Sequence, residues 1–76
     1  MVNSTNFLDR LTINPEYDRS VGGRAFTRPE TFVLGWFIMR QSGRTYADMM
    51  RECRLSLHQC QEAVEDLMEL GVLRWR

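Results

Sequence analysis

The residues best equipped for recognition chemistry fall in one short window. Ser56, His58, Gln59 and Gln61 gather at the start of a segment whose apolar residues recur every three or four positions. A glutamine amide can pair with adenine through two hydrogen bonds, so these side chains are candidates for reading base edges at a helix start. Arg40, Arg44, Arg51, Arg54, Arg74 and Arg76 cluster around them, and a guanidinium suits bidentate capture of phosphate or carboxylate. Arg44 lies just before a helix and Arg54 in a turn, both placed for phosphate contact. Immediately downstream come Glu62, Glu65, Asp66 and Glu69, a run of carboxylates suited to a basic partner. The bland readings stand beside these. The polar residues also serve as a helix cap and solvated surface, and the acids are numerous enough to neutralise most of the arginines.

Other chemistry is excluded by residue type or position. Cys53, His58 and Cys60 suggest zinc, but a site needs four ligands, or three plus water. Cys60 falls on an inward helical face and His58 on a different one, so both cysteines read as small buried apolar residues. The sequence holds no nucleophile–base pair, no paired catalytic carboxylates and no glycine-rich phosphate loop beyond Gly22-Gly23. Trp36, Phe37, Phe32, Met39, Met49, Met50 and Met68 read as core. Trp75 stands apart, because a strand at the edge of a sheet leaves it free to mark a partner surface. No metal, cofactor or catalytic residue is expected.

Three capped helices must position these residues. Thr27-Arg28-Pro29-Glu30 has the form of a capping box opening a helix over about 28–41. That helix is apolar almost all round, which predicts that it is central or covered by a partner. Gly43 supplies the stop. Thr45-Tyr46-Ala47-Asp48 opens a second helix in the same way, with Tyr46, Ala47, Met49, Met50 and Cys53 on its apolar side. After the break Arg54-Leu55-Ser56, a third box, Ser56 to Gln59, starts a helix running to Leu70. Its inward face is Leu57, Cys60, Ala63 or Val64, Leu67 and Met68. Gly71 caps it, and Val72 to Arg76 alternates as a half-buried strand, with Leu73 and Trp75 on one side and Arg74 and Arg76 on the other. Before residue 26 the grammar is weaker. Phe7, Leu8 and Leu11 share one side of a short helix ended by Asn14-Pro15, a loop follows, and Arg24-Ala25-Phe26 is a candidate strand.

Length and charge bound the rest. Seventy-six residues make one domain, and a chain this short buries only about 60% of its unfolded surface. Ten acids balance ten bases, all of them arginine, so no overall positive charge argues for nucleic acid, although a local basic face remains open. The longest apolar run, Phe32 to Met39, is far short of the roughly 20 residues of a membrane span. Two cysteines are too few for a disulfide scaffold, and the first residues lack the pattern of a signal peptide. A cytoplasmic, reducing setting is the expectation.

The stretch Thr45-Tyr46-Ala47-Asp48-Met49-Met50-Arg51-Glu52-Cys53-Arg54-Leu55-Ser56, followed by Cys60, Val64, Leu67, Gly71, Val72 and Leu73, resembles the winged helix-turn-helix core of small bacterial and phage transcription regulators. In that likeness Ala47 is the small residue packed between two helices, and Leu55-Ser56 is the turn. The run 66–73 leads into the second strand. The resemblance covers about 29–76. It implies a mainly α domain over 27–76, with a three-helix core, a minimal β-sheet and a truncated wing, preceded by an extension over 1–26. A winged helix needs a further strand: the wing is missing, or 24–26 substitutes for that strand, or a second subunit completes the sheet. It also implies a DNA-binding regulator, expected as a homodimer on double-stranded DNA. His58, Gln59 and Gln61 would face bases, while Arg44, Arg54, Ser56, Arg74 and Arg76 hold phosphates. The acids of the third helix depart from that pattern, because positions matching Glu62, Glu65 and Asp66 are often basic or polar in the DNA-binding members. They support the alternative of a protein–protein interaction module or inhibitor on the same scaffold, using Glu62, Glu65, Asp66, Glu69 and Trp75.

Overall fold

The structure, a computed structural model, describes residues 7–17 and 25–76. It is mainly helical, with three helices and a small antiparallel sheet of two strands. Helix α1 spans Arg28–Met39 and begins with the expected box: the Glu30 N–H donates to Thr27 Oγ1 and the Thr27 N–H donates to the Glu30 carboxylate, with Pro29 in the first turn. Arg40 takes an extended backbone, so the helix stops two residues before the anticipated 41, and Gly43 at φ 68° turns the chain into the next element. Val33, Leu34, Trp36 and Phe37 are buried, whereas Phe32, Ile38 and Met39 are exposed. The helix is therefore central on one side only.

Helix α2 spans Tyr46–Cys53, with Thr45 Oγ1 accepting from the Asp48 N–H. The Asp48 carboxylate is directed to Arg40 and Arg51. Two turns present a single row to the core, and of that row Met49 is fully buried. Ala47 lies about 100° off the row and is exposed, so it does not pack between the helices as the resemblance implies. Arg54 ends α2 in the left-handed region, φ 59° and ψ 47°, which sharpens the break to helix α3, Leu57–Glu69. Ser56 and Gln59 close the third box in both directions. Cys60, Ala63, Val64 and Leu67 are buried against α1 and α2. Leu57 is not inward: at 43% exposed it sits in the first turn, where its Cβ tilts beyond the end of the core.

Gly71, φ 79°, releases the chain into strand β2, Leu73–Trp75. Its partner β1 is Leu11–Ile13, with Leu11 opposite Trp75 and Ile13 opposite Leu73. This corrects two expectations. The segment holding Phe7, Leu8 and Leu11 is a four-residue 3-10 turn, Phe7–Arg10, running straight into a strand. Leu11-Thr12-Ile13 alternates and carries two β-branched residues, which favours extension over helix. The candidate strand at 24–26 does not form at Ala25 and Phe26, and Arg24 lies outside the described residues. Leu8 and Leu11 are buried in the same core as the helices. Asn14 ties the sheet's end: its N–H donates to the Val72 carbonyl at 2.8 Å and its amide to the Gly71 carbonyl at 3.0 Å. Among the described residues no helix is long and apolar enough to cross a membrane.

Candidate functional site

The arginine expected at a phosphate is in the interior. Arg44 is 3% exposed, and its guanidinium donates to four backbone carbonyls: Nε to Arg40 at 2.6 Å, Nη1 to Leu8 at 3.1 Å and Leu11 at 2.9 Å, Nη2 to Phe37 at 3.1 Å. The same group lies 4.4 Å from the Phe37 ring centre. Asp9 accepts from the backbone N–H groups of Gly43 and Arg44. Burial lowers the Arg44 pKa, with Asp9 opposing that shift. The side chain binds the N-terminal segment to the end of α1, with four of its five N–H groups on backbone carbonyls, and is too enclosed to reach DNA. From sequence, an arginine between a glycine and a cap reads as solvent-facing. Only the return of residues 8–11 over it encloses it.

The start of α3 is open. Ser56, His58, Gln59 and Gln61 are all exposed, with Arg54 beside them. Gln59 is partly committed, because its Oε1 accepts from the Ser56 N–H at 3.0 Å while Ser56 Oγ accepts from the Gln59 N–H. Bidentate pairing with adenine requires that oxygen, so Gln59 reads a base only by giving up half of its cap. Gln61 carries no such commitment. His58 is 3.9 Å from Glu62 across one helical turn.

The acids are not mixed into this end. The first turn of α3 contains no acidic residue, and Glu62, Glu65, Asp66 and Glu69 follow only afterwards. Glu62, Glu65 and Glu69 are exposed and Asp66 is half-buried. Charge is therefore graded along the helix, with Arg54 and an exposed, capped helix N-terminus at one end and carboxylates towards the other.

The remaining expected residues lie elsewhere. The Arg76 N–H donates to the Arg10 carbonyl and its guanidinium to the Gln41 carbonyl at 3.5 Å, beside the C-terminal end of α1. Arg54 follows Cys53, whose thiol contacts the Phe32 carbonyl near the N-terminal end of the same helix. Phe32 and Gln41 lie nine residues apart, about 14 Å at the helical rise. Arg74 and Arg76 thus do not join Arg54 and Ser56. Trp75 is 54% exposed and touches Phe7, which in turn touches Tyr46. Burial raises the Tyr46 pKa, with Cys60 and then Glu65 adding to the shift.

Sequence reasoning missed a second surface. Phe32, Gly35, Trp36 and Met39 of α1 face Cys53, Arg54 and Leu55 across an open groove of about 1070 Å³. No family model, curated protein or solved structure matches this chain. What its surfaces do rests on their own chemistry. The two cysteines are free; burial raises both thiols, and Cys60 is wholly enclosed on the opposite side of α3 from His58.

Proposed function

We propose that this chain is a small non-enzymatic DNA-binding protein of helix-turn-helix type, a transcription regulator that enters the major groove with the first turn of α3. One observation carries the reading: the charge gradient along α3, which keeps carboxylates out of the exposed first turn and leaves Arg54 beside it. Entry end-first lets the helix N-terminus and Arg54 meet phosphates while Glu65 and Glu69 trail outside. Arg51, 68% exposed and bonded to Asp48, is the second cation assigned to phosphate in this reading. His58 and Gln61 are then the base-reading side chains, with Ser56 on a phosphate. Arg74 and Arg76 travel with the trailing end. The α1-α2-α3-β2 order supports a winged-helix-like arrangement in which β1 completes the sheet from the N-terminal side.

The test is fluorescence anisotropy with short duplexes at rising salt. Two phosphate contacts per protomer, from Arg51 and Arg54, give a log–log slope of about −2, or roughly tenfold weaker binding for a fourfold rise in salt. Arg54→Ala weakens binding to all duplexes alike, and Gln61→Ala flattens the preference among them. No association with duplex DNA at low salt would sink the reading.

The exposed Trp75 against Phe7, which touches Tyr46, together with the exposed acids of α3, favours a second reading, a protein-interaction module using Glu62, Glu65, Asp66, Glu69 and Trp75 against a basic partner. Its mark is binding of a basic test peptide that Glu65→Lys with Trp75→Ala abolishes, with DNA inert.

A further inference from the structure

We propose that the groove between α1 and the α2–α3 turn is a docking site for an acidic amphipathic helix of a partner protein. This surface shares Arg54 and Gln59 with the start of α3 but is built on the apolar outer face of α1, and docking there does not require DNA binding.

The outer face of α1 is centred on Gly35, with Phe32, Ile38 and Met39 around it, and all three are exposed. A glycine inside a helix costs about 0.5–1 kcal/mol relative to alanine, and an interior glycine usually answers to a close neighbour. Here a Cβ on Gly35 would meet nothing within 4 Å. Nothing within the described chain requires the glycine, and it forms the lowest point of the apolar floor. That shape admits the backbone of another helix at close range, with its side chains falling on Phe32 and Met39 to either side. Helix-in-groove recognition uses such a floor through anchors at i, i+3 or i+4, and i+7. The twelve residues of α1 offer room for about three turns of a partner.

The rim selects the partner's charge. Arg28, Arg40 and Arg54 line the groove against the single carboxylate of Glu52, although the whole chain is neutral. Arg40 is held by Asp48 and Glu52. Arg28 and Arg54 form no ion pair among the described residues; Arg28 lies only over the Phe32 ring, 5.7 Å from its centre. Two free cations therefore flank one end of an apolar floor, and they match carboxylates on a helix that buries its apolar side. A second copy of this chain does not match. Its α1 outer face brings another Arg28 and no acid, and its acidic α3 turns Cys60, Val64 and Leu67 inward.

The experiment uses the full chain and two labelled peptides of about 14 residues, long enough to cover three turns. One has leucines at i, i+3 and i+7 with glutamates elsewhere; in the other, lysines replace the glutamates. The acidic peptide binds, salt weakens it, and Arg28→Glu with Arg54→Glu weakens it at least tenfold. Gly35→Leu fills the floor and abolishes binding, while circular dichroism reports an intact helical fold. Equal binding to Gly35→Leu, preference for the lysine peptide, or no binding of the acidic one overturns the proposal. So does self-association of the chain that Gly35→Leu disrupts, since the face would then belong to a second copy.

Discussion

Replacing Arg44 with methionine tests whether one buried cation holds the N-terminal strand to the helices. Methionine keeps much of the aliphatic stem beside Phe37 and removes all four carbonyl bonds. Three of those bonds, to Leu8, Leu11 and Phe37, are buried, so their acceptors lose both protein and solvent. A stranded buried acceptor costs at least about 1 kcal/mol, which gives about 3 kcal/mol for the three. A domain of this length loses about 4–8 °C of Tm per kcal/mol, so the melting point falls by about 12–24 °C. Arg44→Lys keeps the charge but offers one nitrogen in place of a fork, and it recovers only about half of the loss. Thermal and urea unfolding by circular dichroism measure both variants. Amide exchange at Thr12 and Asn14, whose N–H groups face β2, should accelerate most, because β1 is the element that loses its anchor. An Arg44→Met protein melting within about 3 °C of the parent would refute the reasoning, for that carbonyl cluster would then be satisfied without the guanidinium.

Two further outcomes follow from positions near the surface. Arg54 holds a left-handed backbone at φ 59°, a conformation that costs a side-chain-bearing residue about 1 kcal/mol, so Arg54→Gly should raise the urea midpoint while lowering DNA affinity. Opposite signs in the two measurements separate its backbone role from its charge; a drop in both contradicts that separation. The bond from Arg51 lowers the Asp48 pKa below the ordinary carboxylate range, with Arg40 and Thr45 acting the same way. A carboxylate whose pKa is depressed on folding stabilises above its unfolded pKa and loses that contribution as pH falls through the folded value. The stability gap between the parent and Asp48→Asn, measured in urea, should hold at neutral pH and close on the acid side of the usual carboxylate range. A gap that widens with acid contradicts the assignment.

Local chemistry determined the helices of this protein. Thr27 with Glu30 and Ser56 with Gln59 are reciprocal caps formed within four residues, and Cys60, Ala63, Val64 and Leu67 fall on one side of a helix whatever surrounds it. Gly71, Leu73 and Trp75 were legible for the same reason, since a positive φ and a two-residue alternation are local properties. Tertiary structure decided what those elements meet. The partner of β2 is Leu11–Ile13, more than sixty residues away in sequence at Leu11 and Trp75, and short strands carry too little pattern to name a distant mate. Arg44 changed from a surface cation to an interior one because four carbonyls from separate segments converge on it, a fact no spacing encodes. The apolar circumference of α1 was plain in the residues, but which side stayed open depended on where α2 and α3 packed. Burial is settled by the whole chain at once, whereas capping and periodicity are settled within a few turns.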